Sequence, residues 1–325
     1  MIIHKAGPVE TALSVAKKYG AEAEEIARDN GIHPSERLAA GRELLILPRR
    51  RDGENPGAGL ALSLLIGYFY PGCRPEEGAT ERVRAALLSE YVIRRGGISR
   101  AGSCSAARRD AAAHGADIFS RYFLRELPEG DAAKKLAGVI AESSLSRSER
   151  GVALGGISAH AGAGEFLLAL KRECMARDLA LIAELTPEMT VLSSVPDIVV
   201  LTPDETAGAG AVCRAMADFA ERTASSVVID ITPLTLSGGR GMTAEEAVRE
   251  ADRRGGRVET DGETLLSRVS TGRQSALFPS LEFICRVARE AERLGWCGLS
   301  VDGCRAGAPR LTLAAHLCSG SRGCI

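Results

Sequence analysis

From Leu60 onward the chain alternates short apolar runs with stretches of helical period, and that alternation restricts the available folds more than any other feature. The runs are Leu60–Phe69, Tyr91–Ile93, Ala116–Phe119, Gly151–Leu154, Leu179–Leu185, Ile198–Leu201, Val227–Ile231 and Gly298–Val301. They are short, rich in Val, Ile and Leu and carry little polar alternation, as strands buried on both faces do. Helical stretches fall between them over Thr80–Leu88, Ala132–Ser144, Glu165–Ala176, Ala211–Ala224 and Leu281–Leu294. Eight strands spaced by helices specify an α/β protein, most simply a closed (β/α)8 TIM-type barrel, with an open doubly wound sheet as the alternative. Residues 237–276 break the pattern: a helix over Ala244–Arg253 and strand-like runs at Arg257–Glu259 and Leu265–Val269 predict a small α+β insertion between the seventh and eighth strands.

Ahead of the barrel, residues 1–48 read as a compact βααβ module. Ile2-Ile3-His4 is a short strand, Thr11 caps a first helix that Gly20 ends, and a second helix over Ala23–Asp29 stops at Asn30-Gly31. Glu43–Leu47 is the closing strand. Residues 49–59 hold Asp52-Gly53 and Asn55-Pro56-Gly57 without apolar periodicity and form a linker, leaving 60–325 to the barrel.

A net charge of -1 gives no overall pull toward nucleic acid, and Arg49-Arg50-Arg51 in the linker reads as a solvated run. No secretory signal is visible, and Leu60–Phe69 is too short to span a bilayer, so a soluble protein made in the cytoplasm is expected. The nine cysteines are odd in number and form no C-x-x-C pair, so reduced thiols are the default, with a Cys318–Cys324 cross-link as the minor alternative. No metal site or cofactor is expected: His114 and His316 lack ligand neighbours at helical spacing, Ser158 and His160 stand too close in sequence to show a Ser/His pairing, and neither Gly162-Ala163-Gly164 nor Gly238-Gly239-Arg240-Gly241 continues into a nucleotide-binding fingerprint.

The module resembles the LysM family. The matching stretches are Ser14-Val15-Ala16-Lys17-Lys18-Tyr19-Gly20, Ile26-Ala27-Arg28-Asp29-Asn30-Gly31-Ile32 and Leu38-Ala39-Ala40-Gly41-Arg42-Glu43-Leu44-Leu45-Ile46. The resemblance implies that an N-acetylglucosamine polymer, peptidoglycan or chitin-like, lies between two loops. It puts Gly7, Glu10, Thr11, Asn30, Gly31, Ile32, Pro34 and Leu38 at that groove. The first loop, Gly7-Pro8-Val9-Glu10-Thr11, is about two residues longer than the family's Gly-Asp-Thr turn.

The barrel resembles glycoside hydrolase family 18, in its LysM-bearing, YaaH-type branch that acts on spore cortex. Gly67-Tyr68-Phe69-Tyr70-Pro71-Gly72, Gly151-Val152-Ala153-Leu154 with Glu165-Phe166-Leu167, Val195–Glu205, and Phe278–Leu281 through Gly295–Ser300 carry the likeness. The resemblance implies chemistry in which the substrate's acetamide is the nucleophile. A glutamic acid at the fourth strand's end donates the proton, and an aspartate two residues earlier orients the acetamide. Here those positions read Gly155-Gly156-Ile157, and no Asp or Glu occurs between Arg150 and Glu165. Losing a general acid alone lowers a rate by about 10²–10⁴-fold. Pro203 replaces the tyrosine after the sixth strand, and Asp302 falls where a tryptophan floor is expected. Asp204 and Glu205 are the fallback acids, with Glu184, Asp230 and Asp302 also near strand ends.

The reading is therefore a glycan-binding protein of the spore envelope, with spore-envelope proteins as further partners and a barrel without catalysis. The alternatives are an active N-acetylglucosaminidase using relocated acids, and a barrel of unrelated chemistry.

Overall fold

The computed structural model describes residues 1–47, 62–75, 78–128, 130–157, 162–223, 226–231, 236–237, 243–271 and 274–319. The segment read as the linker, 49–59, lies outside them, as do Ser158, His160 and Cys324.

Strand β1 (Ile2–Lys5) pairs antiparallel with β2 (Glu43–Ile46), Ile3 facing Leu45. Two helices lie between, α1 (Ala12–Tyr19) and α2 (Ala23–Asn30). Thr11 accepts from the Ser14 amide at the start of α1, and Gly20 and Gly31 close the two helices in the left-handed conformation that glycine adopts without steric cost. Val15, Ile26, Leu44 and Ile46 fill the core between these elements.

The barrel strands are β3 (Leu64–Phe69), β4 (Ala85–Arg94), β6 (Asp117–Leu124), β7 (Gly151–Gly155), β8 (Ala180–Leu185), β9 (Ile198–Leu201), β10 (Ser226–Asp230) and β15 (Gly298–Asp302). All are parallel to their neighbours, and the pairing of β3 with both β15 and β4 closes the ring. The open-sheet alternative is thereby excluded. Strand β5 (Gly97–Arg100) is a hairpin return on β4. Helices α3 (Ala79–Arg82), α4 (Ser105–Ala113), α5 (Asp131–Ser146), α6 (Ala163–Met175), α7 (Ala209–Ala220), α9 (Leu281–Arg293) and α10 (Ala308–Leu317) complete the shell. Alternate residues along each strand separate into two cores. Leu64, Ile66, Leu87, Phe119, Ile182 and Val200 fill the interior, while Leu65, Val152, Leu181 and Val199 pack outward with the helices.

Between β10 and α9 stand β11 (Leu236–Ser237), α8 (Ala244–Arg254), β12 (Arg257–Thr260), β13 (Leu266–Thr271) and β14 (Gln274–Pro279), forming a four-stranded antiparallel sheet with one helix. The βααβ unit is seated against this insertion. The buried Arg42 guanidinium pairs with Asp252 and, at 3.2 Å, with Glu245. Ala39 N–H donates to Asp252 at 2.6 Å, Val258 N–H to the Ala40 carbonyl at 2.8 Å, and Leu281 N–H to Glu43 at 2.7 Å.

Two expectations are corrected. The Thr80–Leu88 helix is one short turn, α3, followed by β4 from Ala85, because Ala85 to Leu88 are buried on both faces between β3 and β6. Ala and Leu favour helices intrinsically, and the closed ring overrides that preference. The cysteines are not all reduced: Cys73 and Cys304 form a disulfide. They are 231 residues apart in sequence, but ring closure makes the exits of β3 and β15 neighbours.

Candidate functional site

Parallel barrels expose the C-terminal ends of their strands as one rim, and binding or catalytic groups gather there. The inward residue at the end of β7 is Gly155, between β6 and β8 in the ring. Arg121 on β6 and Glu184 on β8 reach toward each other across it and form a two-pronged ion pair, Nε to Oε1 and Nη2 to Oε2, the latter at 2.7 Å. A Cβ on Gly155 would meet the Glu184 carboxylate and lie 2.9 Å from Arg121 Nη2. The pair can span the intervening strand because that position carries no side chain. Its third prong, Nη1, lies 3.3 Å from Ser89 Oγ, and the guanidinium carbon stands 5.3 Å from the ring centres of Tyr68 and Phe123. Cation–π contacts of this kind add about 0.5–2 kcal/mol each. Ile157 is buried at 1% exposure in the outer core and does not line the mouth.

Two more carboxyl groups stand at strand ends. Asp230 on β10 accepts from Ser300 Oγ at 2.9 Å. Asp302 on β15 is buried and accepts from the Cys304 amide at 2.8 Å, and burial pushes its carboxyl above the usual aspartate range despite that bond and Arg305 nearby. Burial, with Glu184 and Asp230 close by, also drives the Tyr68 hydroxyl well up, keeping it a neutral donor. Chemically the mouth is a set of paired and buried polar groups. Both oxygens of Glu184 are engaged by Arg121, so neither is placed to hand a proton to a leaving group.

Of the fallback acids, Asp204 stands on the loop that leaves β9. Asp204 is exposed and caps a turn, accepting from Thr206 N–H at 3.0 Å and Oγ1 at 2.6 Å. The side chain of Glu205 is outside the described residues. Nothing in the sequence flagged Arg121, because its partner is 63 residues away on the next strand but one.

In the βααβ unit the two loops named from sequence do meet: Leu38 N–H donates to the Glu10 carbonyl at 2.9 Å and Leu13 N–H to that of Pro34 at 3.1 Å. Glu10 accepts from Gly7 N–H at 2.7 Å and stands 2.8 Å from His4 Nε2; the amide bond, against partial burial, holds its carboxyl below the ordinary value. Gly7, Thr11, Ile32 and Pro34 are half-buried around this junction. Asn30 and Leu38 are buried instead. The Asn30 amide bonds the carbonyls of Ile26 and Leu45 and accepts from Leu45 N–H, tying α2 to β2. A Cβ on Gly31 would come within 2.9 Å of the Ala308 Cβ, so this position faces the barrel helix α10. Val9, at the tip of the longer first loop, is 61% exposed with a φ of 64°, a strained conformation for a β-branched residue.

Among the described residues no group of three or more His, Cys, Asp or Glu is arranged to hold a metal ion, and no helix is long and apolar enough to cross a membrane. No known family model matches the sequence, and no curated protein matches it. Solved structures do match. The Bacillus cereus spore cortex-lytic enzyme SleL superposes with a TM-score of 0.77 at 13% identity, covering 97% of this chain and 97% of that one. The Chromobacterium violaceum chitinase gives 0.65 at 15% identity, over 78% of this chain and 99% of that one. A mutant catalytic domain of the Ostrinia furnacalis Group II chitinase, in complex with penta-N-acetylchitooctaose, gives 0.60 at 12% identity, over 80% and 97%. At such identities the likeness is one of fold: this chain is built on the same closed barrel as a cortex-lytic enzyme and several chitinases.

Proposed function

We propose that this chain is a binding protein for N-acetylglucosamine-containing glycan of the peptidoglycan or chitin type, acting in the spore envelope. Its binding unit is residues 1–48, a LysM module, joined through 49–59 to a glycoside-hydrolase-family-18-like barrel, 60–325, that carries no hydrolytic chemistry and has its insertion at 237–276. The observation that carries the reading is the Arg121–Glu184 ion pair above Gly155, together with the burial of Ile157. Gly155 and Ile157, which the resemblance aligns with the orienting and proton-donating acids, carry no acid, and the Arg121–Glu184 pair occupies the space beside Gly155. The breadth of the SleL superposition, 97% of this chain against 78% for the Chromobacterium violaceum chitinase, supports a cortex-type glycan.

Titration of the whole protein with N-acetylchitopentaose, and co-sedimentation with purified cortex peptidoglycan, tests the binding half. Saturable binding that weakens about tenfold or more in a Val9→Asp, Pro34→Asp variant is the expected result, since two charges beside a neutral acetamido polymer remove apolar contact and leave desolvated carboxylates. Binding unchanged in that variant would move the site off these loops, and no binding at all would end the proposal.

One observation favours a second reading, hydrolysis by relocated acids: Asp302 is a buried carboxyl pushed upward at the rim, the condition that suits a general acid. Release of shorter oligosaccharides by the wild type, lost in Asp302→Asn, would select it.

A further inference from the structure

A cavity of about 720 Å³ opens where β1 of the N-terminal unit meets α9 and α7, and none of the barrel-mouth groups lines it. Met1, Ile3 and Leu265 give it apolar wall, and Arg286, Arg289 and Arg293 line one side of α9 at spacings of three and four residues, which stacks them on a single helix face. The two carboxylates in the wall are already engaged. Glu290 holds Arg293 at 2.6 Å, and Glu282 holds Lys5 at 3.2 Å. Among the described residues Arg286 and Arg289 make no ion pair; Arg286 has the Cys213 thiol as its neighbour on α7.

Arg214, outside the cavity wall, brings a further guanidinium close to that of Arg286. The point where Gly210 would carry a Cβ lies 3.8 Å from Arg286 Nη2 and 3.7 Å from Arg214 Nη1, and Arg214 has no ion pair among the described residues either. Two cations brought this close repel each other, and an anion beside them relieves that repulsion. Guanidinium forks match the geometry of carboxylate and phosphate oxygens, and a concave wall concentrates their field.

We infer that this seam cavity is a binding site for a small oxyanion carrying an apolar part. Arg286 and Arg289 hold the carboxylate or phosphate, and Met1, Ile3 and Leu265 cover the apolar portion. The site joins the N-terminal unit to the barrel, so its occupant would also tighten their contact.

Calorimetric titration of the intact protein with hexanoate, hexyl phosphate and hexanol, matched in chain length, tests this. The expected result is saturable binding of at least one anion, about tenfold or more tighter than hexanol, and weakened at least as much in an Arg286→Gln, Arg289→Gln variant. Which anion binds more tightly identifies the headgroup as carboxylate or phosphate. Both substitutions are on exposed side chains, and an unchanged thermal midpoint without ligand verifies that the variant is folded. Hexanol binding as well as the anions, no saturable binding of either anion, or undiminished anion binding by the folded variant would each overturn the inference.

Discussion

At the scale of single residues, the barrel mouth is governed by the balance between burying charge and pairing it. Arg121 and Glu184 are only 11% and 12% exposed, so each depends on the other. Arg121→Met strands a carboxylate in a poorly solvated place and is expected to destabilise by about 3–5 kcal/mol, whereas the Arg121→Met, Glu184→Met double variant should recover most of that loss. Urea melts of the two variants check this. Asp302 contributes in the opposite sense to a salt-bridged acid. Its folded-state value is raised, so its contribution to stability is complete below the ordinary aspartate value of 3.8 and is lost as pH rises through the raised value. Asp302→Asn is therefore expected to flatten the fall in stability above pH 3.8, leaving the variant at least as stable at neutral pH, as read from melting points across that range. The absence of acids at Gly155 and Ile157 was legible in the sequence. What replaced them was not, because Arg121 and Glu184 belong to different strands and only the ring order places both beside Gly155.

Among elements, the strands were the legible part. Parallel strands buried on both faces must be nearly continuous apolar runs, and β8, β9 and β15 announce themselves that way. The first half of β4 did not, since Ala-Ala-Leu-Leu satisfies either period over so short a window, and only its later residues Tyr91–Ile93 read as strand. The seam between the βααβ unit and the insertion was equally hidden: Arg42 and Asp252 are 210 residues apart, and an arginine in a strand entry normally reads as solvent-facing. Its burial beside Asp252 and Glu245 predicts a large response to truncation. Arg42→Met leaves the buried Asp252 carboxylate without its cation, Glu245 keeping only Arg249 at 3.1 Å, and a loss of about 3–5 kcal/mol is expected. Chemical unfolding should show the N-terminal unit releasing ahead of the barrel in the variant, against a shared transition in the wild type.

For the whole molecule, the ring imposes neighbours on residues far apart in the chain, and the Cys73–Cys304 disulfide joins its first and last strand exits. A cross-link closing so long a loop stabilises by about 2–5 kcal/mol, chiefly by restricting the unfolded chain. Reduction, or Cys73→Ser, should lower the thermal midpoint without changing glycan binding, because the loops around Glu10 and Pro34 belong to the other unit. Whether the barrel cleaves glycan is read from a long incubation of the pure protein with N-acetylchitopentaose, followed by mass spectrometry. The expected spectrum holds the intact pentasaccharide alone, at protein concentrations where binding is saturated. Disaccharide and trisaccharide accumulating with time, at a rate proportional to protein and abolished by Asp302→Asn, would contradict it.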